Sequence, residues 1–190
     1  MYSTFGGEEP YVVPPWLRQP EDEIPVELPV GAIAARTDGT VITVPRLEVH
    51  STGIVVCADV VLRRRGESDR DWSWLLHGRF EHRPAENDLR WRIELADGSI
   101  AEIGELYRSN PTVDRPPEGW TLTLANGTGG GGGGGDRWEQ HHGFWLWPLP
   151  PAGPMEFVVE WRERGIPESR LALDGDAILA AVPGVRGLWG

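Results

Sequence analysis

The chain has 190 residues, a net charge of −11, 25 glycines and 17 prolines, and all its basic residues are arginine. That length builds one domain plus an appendage without covalent staples. The acidic balance argues against nucleic-acid binding, which needs a basic footprint, and the single cysteine, Cys57, rules out an intrachain disulfide.

Residues 1–29 are dominated by proline and acid, which predicts an extended arm that cannot fold alone. The start, MYSTFGGEEPYVVPP, lacks the basic and apolar regions of a signal peptide, and no apolar run approaches ~18 residues. The expected location is cytoplasmic, with no membrane partner. Within the arm, YVVPPWL (Tyr11 to Leu17) is an island of apolar anchors. Either it lies back across its own domain, or Tyr11, Trp16 and Leu17 dock into a partner's groove.

Strand signals begin at Val30, so residues 30–190 are expected to form one β-sandwich domain. Ala32–Arg36 and Thr40–Val44 flank Asp38-Gly39 and read as a hairpin. Leu47 and Val49 alternate with polar neighbours. Ile54–Leu62 is a β-branched run suited to a central strand, with Cys57 as a small buried hydrophobe. Arg63–Arg65 read as a solvated strand end. Trp72–Phe80 reads as a further strand, and Leu89–Leu95 alternates cleanly into a turn at Asp97-Gly98. Ile100–Ile103 follows, then a proline-containing loop over 104–119, then the alternating Trp120–Leu124.

Seven consecutive glycines sit in the segment 126–137, which is expected to be a flexible loop. It matches GxGxxG only trivially, because no helix pattern or Lys-Ser/Thr follows. Phe144–Trp147 does not alternate, which predicts a strand covered on both sides. Pro148, Pro150, Pro151 and Pro154 then stiffen a turn into Met155–Trp161, a half-buried strand with an acidic outer face. Asp174 or Asp176 is placed to cap a short helix that ends at Pro183-Gly184, with Leu188 and Trp189 as an apolar tail. Eight or so short strands and one helix indicate an all-β, antiparallel β-sandwich, most commonly immunoglobulin-like, with a short C-terminal helix.

No sequence pattern of catalysis stands out. Nucleophile elbows, HExxH, paired CxxC and EF-hand loops are absent from the sequence, and carboxylate pairs are too abundant for a glycosidase pair to be chosen. No cofactor is expected. Glu139 and His141 fall on one strand face and could share a metal, with His77, His82 or His50 needed to complete it; His142 points the other way. Most of the ten tryptophans fall on inward-facing strand positions and are expected to be core; alternatively Trp145 and Trp147, which share a strand face as Trp72 and Trp74 would, could form a platform for a sugar or a partner.

The ending FWLWPLPPAGPMEFVVEWRERGIPESRLALDGDAI resembles a family of uncharacterised proteins of high-GC actinobacteria, with a WPLPPxGP turn, a strand ending in EW, and a following GI. The resemblance covers about a quarter of the chain and implies a small cytoplasmic β domain with no assigned chemistry. The reading that results is a non-enzymatic protein-interaction module, using the arm, the Trp145/Trp147 surface, or both. Its alternatives are a small-ligand domain (sugar on the tryptophans, or metal at Glu139/His141) and a hydrolase with a scattered site. An edge strand would offer a route to a homo-oligomer.

Overall fold

The computed structural model describes residues 13–77, 89–103, 115–125 and 131–189. In chain order the strands are β1 (Glu23–Ile24), β2 (Val26–Thr37), β3 (Thr40–Val49), β4 (Ile54–Arg63), β5 (Arg90–Glu94) and β6 (Ile100–Glu102). They continue with β7 (Thr121–Leu124), β8 (Gly131–Gly134), β9 (Arg137–Trp147), β10 (Pro154–Trp161), β11 (Ile166–Asp174) and β12 (Arg186–Gly187). Helix α1 spans Asp69–His77 and α2 spans Gly175–Ala181. The larger sheet runs β2-β3-β4-β9-β7 with β8 also on β9, and the smaller runs β11-β10-β5-β6. Every pairing is antiparallel, and the result is an all-β sandwich with a short C-terminal helix.

The core lies between the two sheets. Ile54, Val56, Ala58, Val60 and Leu62 of β4 face Trp91, Ile93, Phe157, Val159 and Trp161 of the smaller sheet. Phe144 and Leu146 of β9 close the gap, and Phe144 sits 4.8 Å from Trp91 and 6.0 Å from Phe157 between ring centroids. In β3 the pairing register shifts between Thr43 and Arg46, around Pro45. That bulge is why Val44 and Leu47, an odd number of residues apart, both reach the core.

Several expectations change. Trp72–Phe80 is not a strand: over its described part it belongs to α1, with Trp72 and Leu75 buried one turn apart. Ser68 caps that helix, accepting from the Asp71 N–H at 3.2 Å while its hydroxyl donates to the Asp71 carboxylate at 2.7 Å. The arm boundary at residue 29 moves, because β1 and the start of β2 lie within 23–29. Gly131–Gly134 of the expected loop form a strand on β9, closed by Gly135 at φ 59°. A Cβ at Gly131 or Gly133 would collide with the β9 backbone, so this close pairing needs glycine there. The strand β11 had no counterpart in the sequence reading, while α2 is capped as expected by Asp174, which accepts from the Asp176 and Ala177 N–H groups. In the tail, the Leu188 N–H donates to the Asp22 carbonyl at 2.7 Å, but the Trp189 ring is 85% exposed rather than docked. Tyr11, His82 and the loops 81–88 and 104–114 lie outside the described residues. No described helix is long and apolar enough to cross a membrane.

One buried cation ties the hairpins together. Arg164, 6% exposed, donates to Thr40 Oγ1 at 3.1 Å, Glu67 Oε1 at 2.7 Å, and the Gly39 and Arg63 carbonyls. Burial pushes the Glu67 carboxyl up, but the Arg65 N–H and the Arg164 guanidinium hold it down at about 2. Arg164→Ala takes one donor each from the Gly39 and Arg63 carbonyls, the Thr40 hydroxyl and the Glu67 carboxylate, which keeps only the Arg65 N–H among these contacts, and should cost about 2–3 kcal/mol in a denaturant melt. Arg164→Lys should recover only part of that loss, because an ammonium cannot reproduce the planar fork.

A second buried polar group sets acid stability. His142 stacks on Phe144 at 5.7 Å and touches Trp91, and its Nε2 has no hydrogen-bond partner. Burial lowers its pKa from 6.5 to about 4, Asp59 opposing and His141 assisting. Burial likewise lowers that of His50, Glu23 opposing. The unfolded chain therefore binds more protons than the folded one between these values. Stability should be full above pH 6.5 and fall as pH drops toward 4. Denaturant melts of His142→Phe across that window should show a shallower loss than the parent chain.

Candidate functional site: the outer face of the large sheet

The outer face of the large sheet carries the sequence-predicted residues, and period two along β9 decides which. Inward-facing His142, Phe144 and Leu146 alternate with outward-facing Glu139, His141, Gly143, Trp145 and Trp147. Gly143, buried, divides this row into an aromatic half and a polar half.

In the aromatic half, Trp145 is fully buried beneath the arm. It packs with Val55, Cys57 and Ala125, and Trp147 lies against that cluster. His50 meets the Trp145 ring edge-on at 5.5 Å, and a Cβ on Gly53 would overlap the same ring. The arm then crosses on top. Trp145 Nε1 donates to the Pro15 carbonyl at 2.9 Å, and the Trp16 ring sits 5.8 Å from that of Trp147. The Thr121 hydroxyl donates to the Trp16 carbonyl at 3.3 Å and that of Thr123 to the Leu17 carbonyl at 3.5 Å. Leu17 closes a turn through its N–H to the Pro14 carbonyl. Four of the five anchors, Trp16, Leu17, Trp145 and Trp147, are thus brought together within one chain. No flat Trp145/Trp147 platform is left open for a sugar ring, because the arm lies over Trp145. Beside Trp147, a notch of about 190 Å³ remains, lined by Pro117, Gly119, Trp120, Trp147 and Pro148. The buried indole nitrogen of Trp120 has no hydrogen-bond partner.

In the polar half, β4 supplies the third donor that the sequence could not locate. Asp59 pairs directly with His141 across the ladder, and Glu139 lies two residues along. His141 Nδ1 is 2.7 Å from Asp59 Oδ1, and one ligand atom from each of Asp59, Glu139 and His141 lies within 4.8 Å of the others. Arg137 bridges Glu139 at 2.8 Å. His50 does not join this group: it is buried near Glu23, at 3.6 Å. His82 and the His77 side chain lie outside what is described. Cys57, between the two halves, donates its thiol to Glu48 at 3.5 Å. Burial, then Glu48, pushes the thiol pKa up to about 12, so it is no nucleophile.

The smaller sheet presents a contrasting outer face. Arg92 and Arg170 interlock with Glu94, Glu156 and Glu168 across three strands. Val158, paired with both arginines and pointing outward, is only 1% exposed beneath their stems. That face is closed by charge, whereas the larger sheet's face is closed by a removable arm.

No protein-family model, curated protein or solved structure matches the chain.

Removing the Trp16 ring should leave the sandwich intact and loosen the arm. Trp16→Ala is expected to cost about 1–2 kcal/mol, less than a core tryptophan because the ring is half-buried. The change should appear as a lower denaturant midpoint with increased quenching of tryptophan fluorescence by iodide.

Proposed function

We propose that the domain is a non-enzymatic interaction module whose ligand is a proline–aromatic segment laid across β7 and β9, and that the chain's own arm fills this place in cis. The observation that carries this reading is the hydrogen bond from Trp145 Nε1 to the Pro15 carbonyl at the floor of an aromatic bed. An indole donor beneath a proline carbonyl, flanked by rings, is how proline-rich segments are commonly held. The two threonine hydroxyls extend the pattern along the arm's main chain. Pro14 and Pro15 stiffen the segment beforehand, so little backbone entropy is lost on docking. The notch beside Trp147 has room for one further ring or proline of a longer ligand.

Such an arm competes with any partner bearing a similar segment. Its local concentration is high, so a partner must bind more tightly or arrive when the arm has been displaced. The test is a titration of a peptide spanning residues 11–19 into the chain lacking residues 1–19, followed by tryptophan fluorescence. Saturable binding is expected, weakened roughly five- to ten-fold by Trp145→Phe, which keeps a ring and deletes the donor. Full-length protein should bind the peptide far more weakly. If the shortened chain merely melts at a lower temperature and binds the peptide no better than a proline-free scramble, the arm is packing and the reading fails.

A further inference from the structure

The polar half of the same face carries an inference independent of the arm. We infer that Asp59, Glu139 and His141 form a binding site for a divalent first-row transition ion of the zinc type, held by two carboxylate oxygens and one imidazole nitrogen.

The geometry comes from sheet register rather than from loop position. Asp59 and His141 are direct cross-strand neighbours, and Glu139 stands on the same side of β9 two residues away. Three donors on adjacent positions of two strands make a triangle with all ligand atoms within 4.8 Å of one another. An ion with ligands at about 2.1 Å in tetrahedral array needs them roughly 3.4 Å apart. The present separations start from 2.7 Å between His141 Nδ1 and Asp59 Oδ1 and none exceeds 4.8 Å. Side-chain rotation closes the difference, since His141 is exposed and the two acids are only partly buried.

The donor set selects the class of ion. A nitrogen beside two oxygens suits zinc, cobalt and manganese better than calcium or magnesium, which prefer all-oxygen cages. Charge points the same way: two carboxylates lie close together here, Asp59 beside His141 and Glu139 paired with Arg137, whose side chain is 65% exposed. An ion pair so open to water is worth little and yields to a bound metal. The site is open on the β8 side of Glu139. Gly132 pairs with Glu139 from β8, and a Cβ built there would meet nothing within 4 Å. With His141 exposed and both acids only partly buried, water has access to complete the coordination, as at an open site.

The experiment is calorimetric titration of Zn²⁺ into the full, chelator-stripped chain, with a parallel thermal melt. One saturable equivalent and a raised melting temperature are expected. Asp59→Asn and His141→Gln, both nearly isosteric and at a solvated face, should each weaken binding by at least about ten-fold while keeping the parent's circular dichroism. Arg137→Gln should tighten binding, because it removes the competitor for Glu139. Absence of saturable binding overturns the site. So does binding that survives Asp59→Asn and His141→Gln unchanged, which would assign the ion to other histidines.

Discussion

The run Phe144–Leu146 is closed to water on both sides, and the rest of the molecule depends on that. A strand buried on one face needs one opposing layer; this one needs two. Phe144 and Leu146 are covered by the smaller sheet, so β5 and β10 must pack across β4 and β9. Trp145 is covered by residues 15–17, which hold no place in either sheet. The arm is thus a third, partial layer, laid over a residue that no strand could reach.

That asymmetry explains why the two outer faces differ in kind. On the smaller sheet, arginine stems and carboxylates cover Val158 permanently, because the covering groups are part of the strands themselves. On the larger sheet the described part of the cover leads into β1, outside the sheet itself, and its contacts include an indole hydrogen bond, two long hydroxyl contacts and a ring contact. A cover that belongs to no strand of the sheet can in principle separate without breaking the sheet's own ladders. Binding surfaces are drawn from low-stability elements, which is the physical ground on which the proposed function is assigned to this face.

Much of the architecture was legible in the sequence, and the failures have identifiable causes. Hairpin turns at Asp38-Gly39 and Asp97-Gly98, the double-sided run at Phe144 and the Asp174 cap all follow from local chemistry that tertiary context leaves alone. The segment at Trp72 misled because Trp72 and Trp74 suggest period two, while Ser68 just ahead caps a helix by accepting from the Asp71 N–H. Strand β11 was obscured by Pro167 and by Glu168 and Arg170, residues an edge strand tolerates when they join a cross-strand charge ladder. Polyglycine carries no period at all, so only its partner strand could make β8 visible. For the candidate site, Glu139 and His141 were readable as neighbours on one face, but Asp59 was not. Its selection depends on which residue of β4 falls opposite His141, and that is a property of register between strands some 80 positions apart.

Register therefore links fold and function more tightly than any single contact. The β4–β9 ladder runs unbroken from Ile54↔Leu146 to Arg63↔Arg137, whereas β2–β3 and β3–β4 both contain shifts. The extra residue of the β3–β4 shift lies on β3, between the partners of Asp59 and Cys57, and leaves the β4–β9 ladder itself regular. A slip of one residue in β9 would turn Phe144 and Leu146 outward and carry His141, Glu139 and Trp145 into the core. The burial of the Glu139 carboxylate without a partner would oppose it from one side, and the exposure of Phe144 and Leu146 from the other. The same hydrophobic alternation that closes the sandwich thus fixes the alignment of Asp59 with His141 and of Trp145 with the arm. Neither outer-face constellation needs stabilising contacts of its own to be held in place, which leaves both free to exchange what they bind.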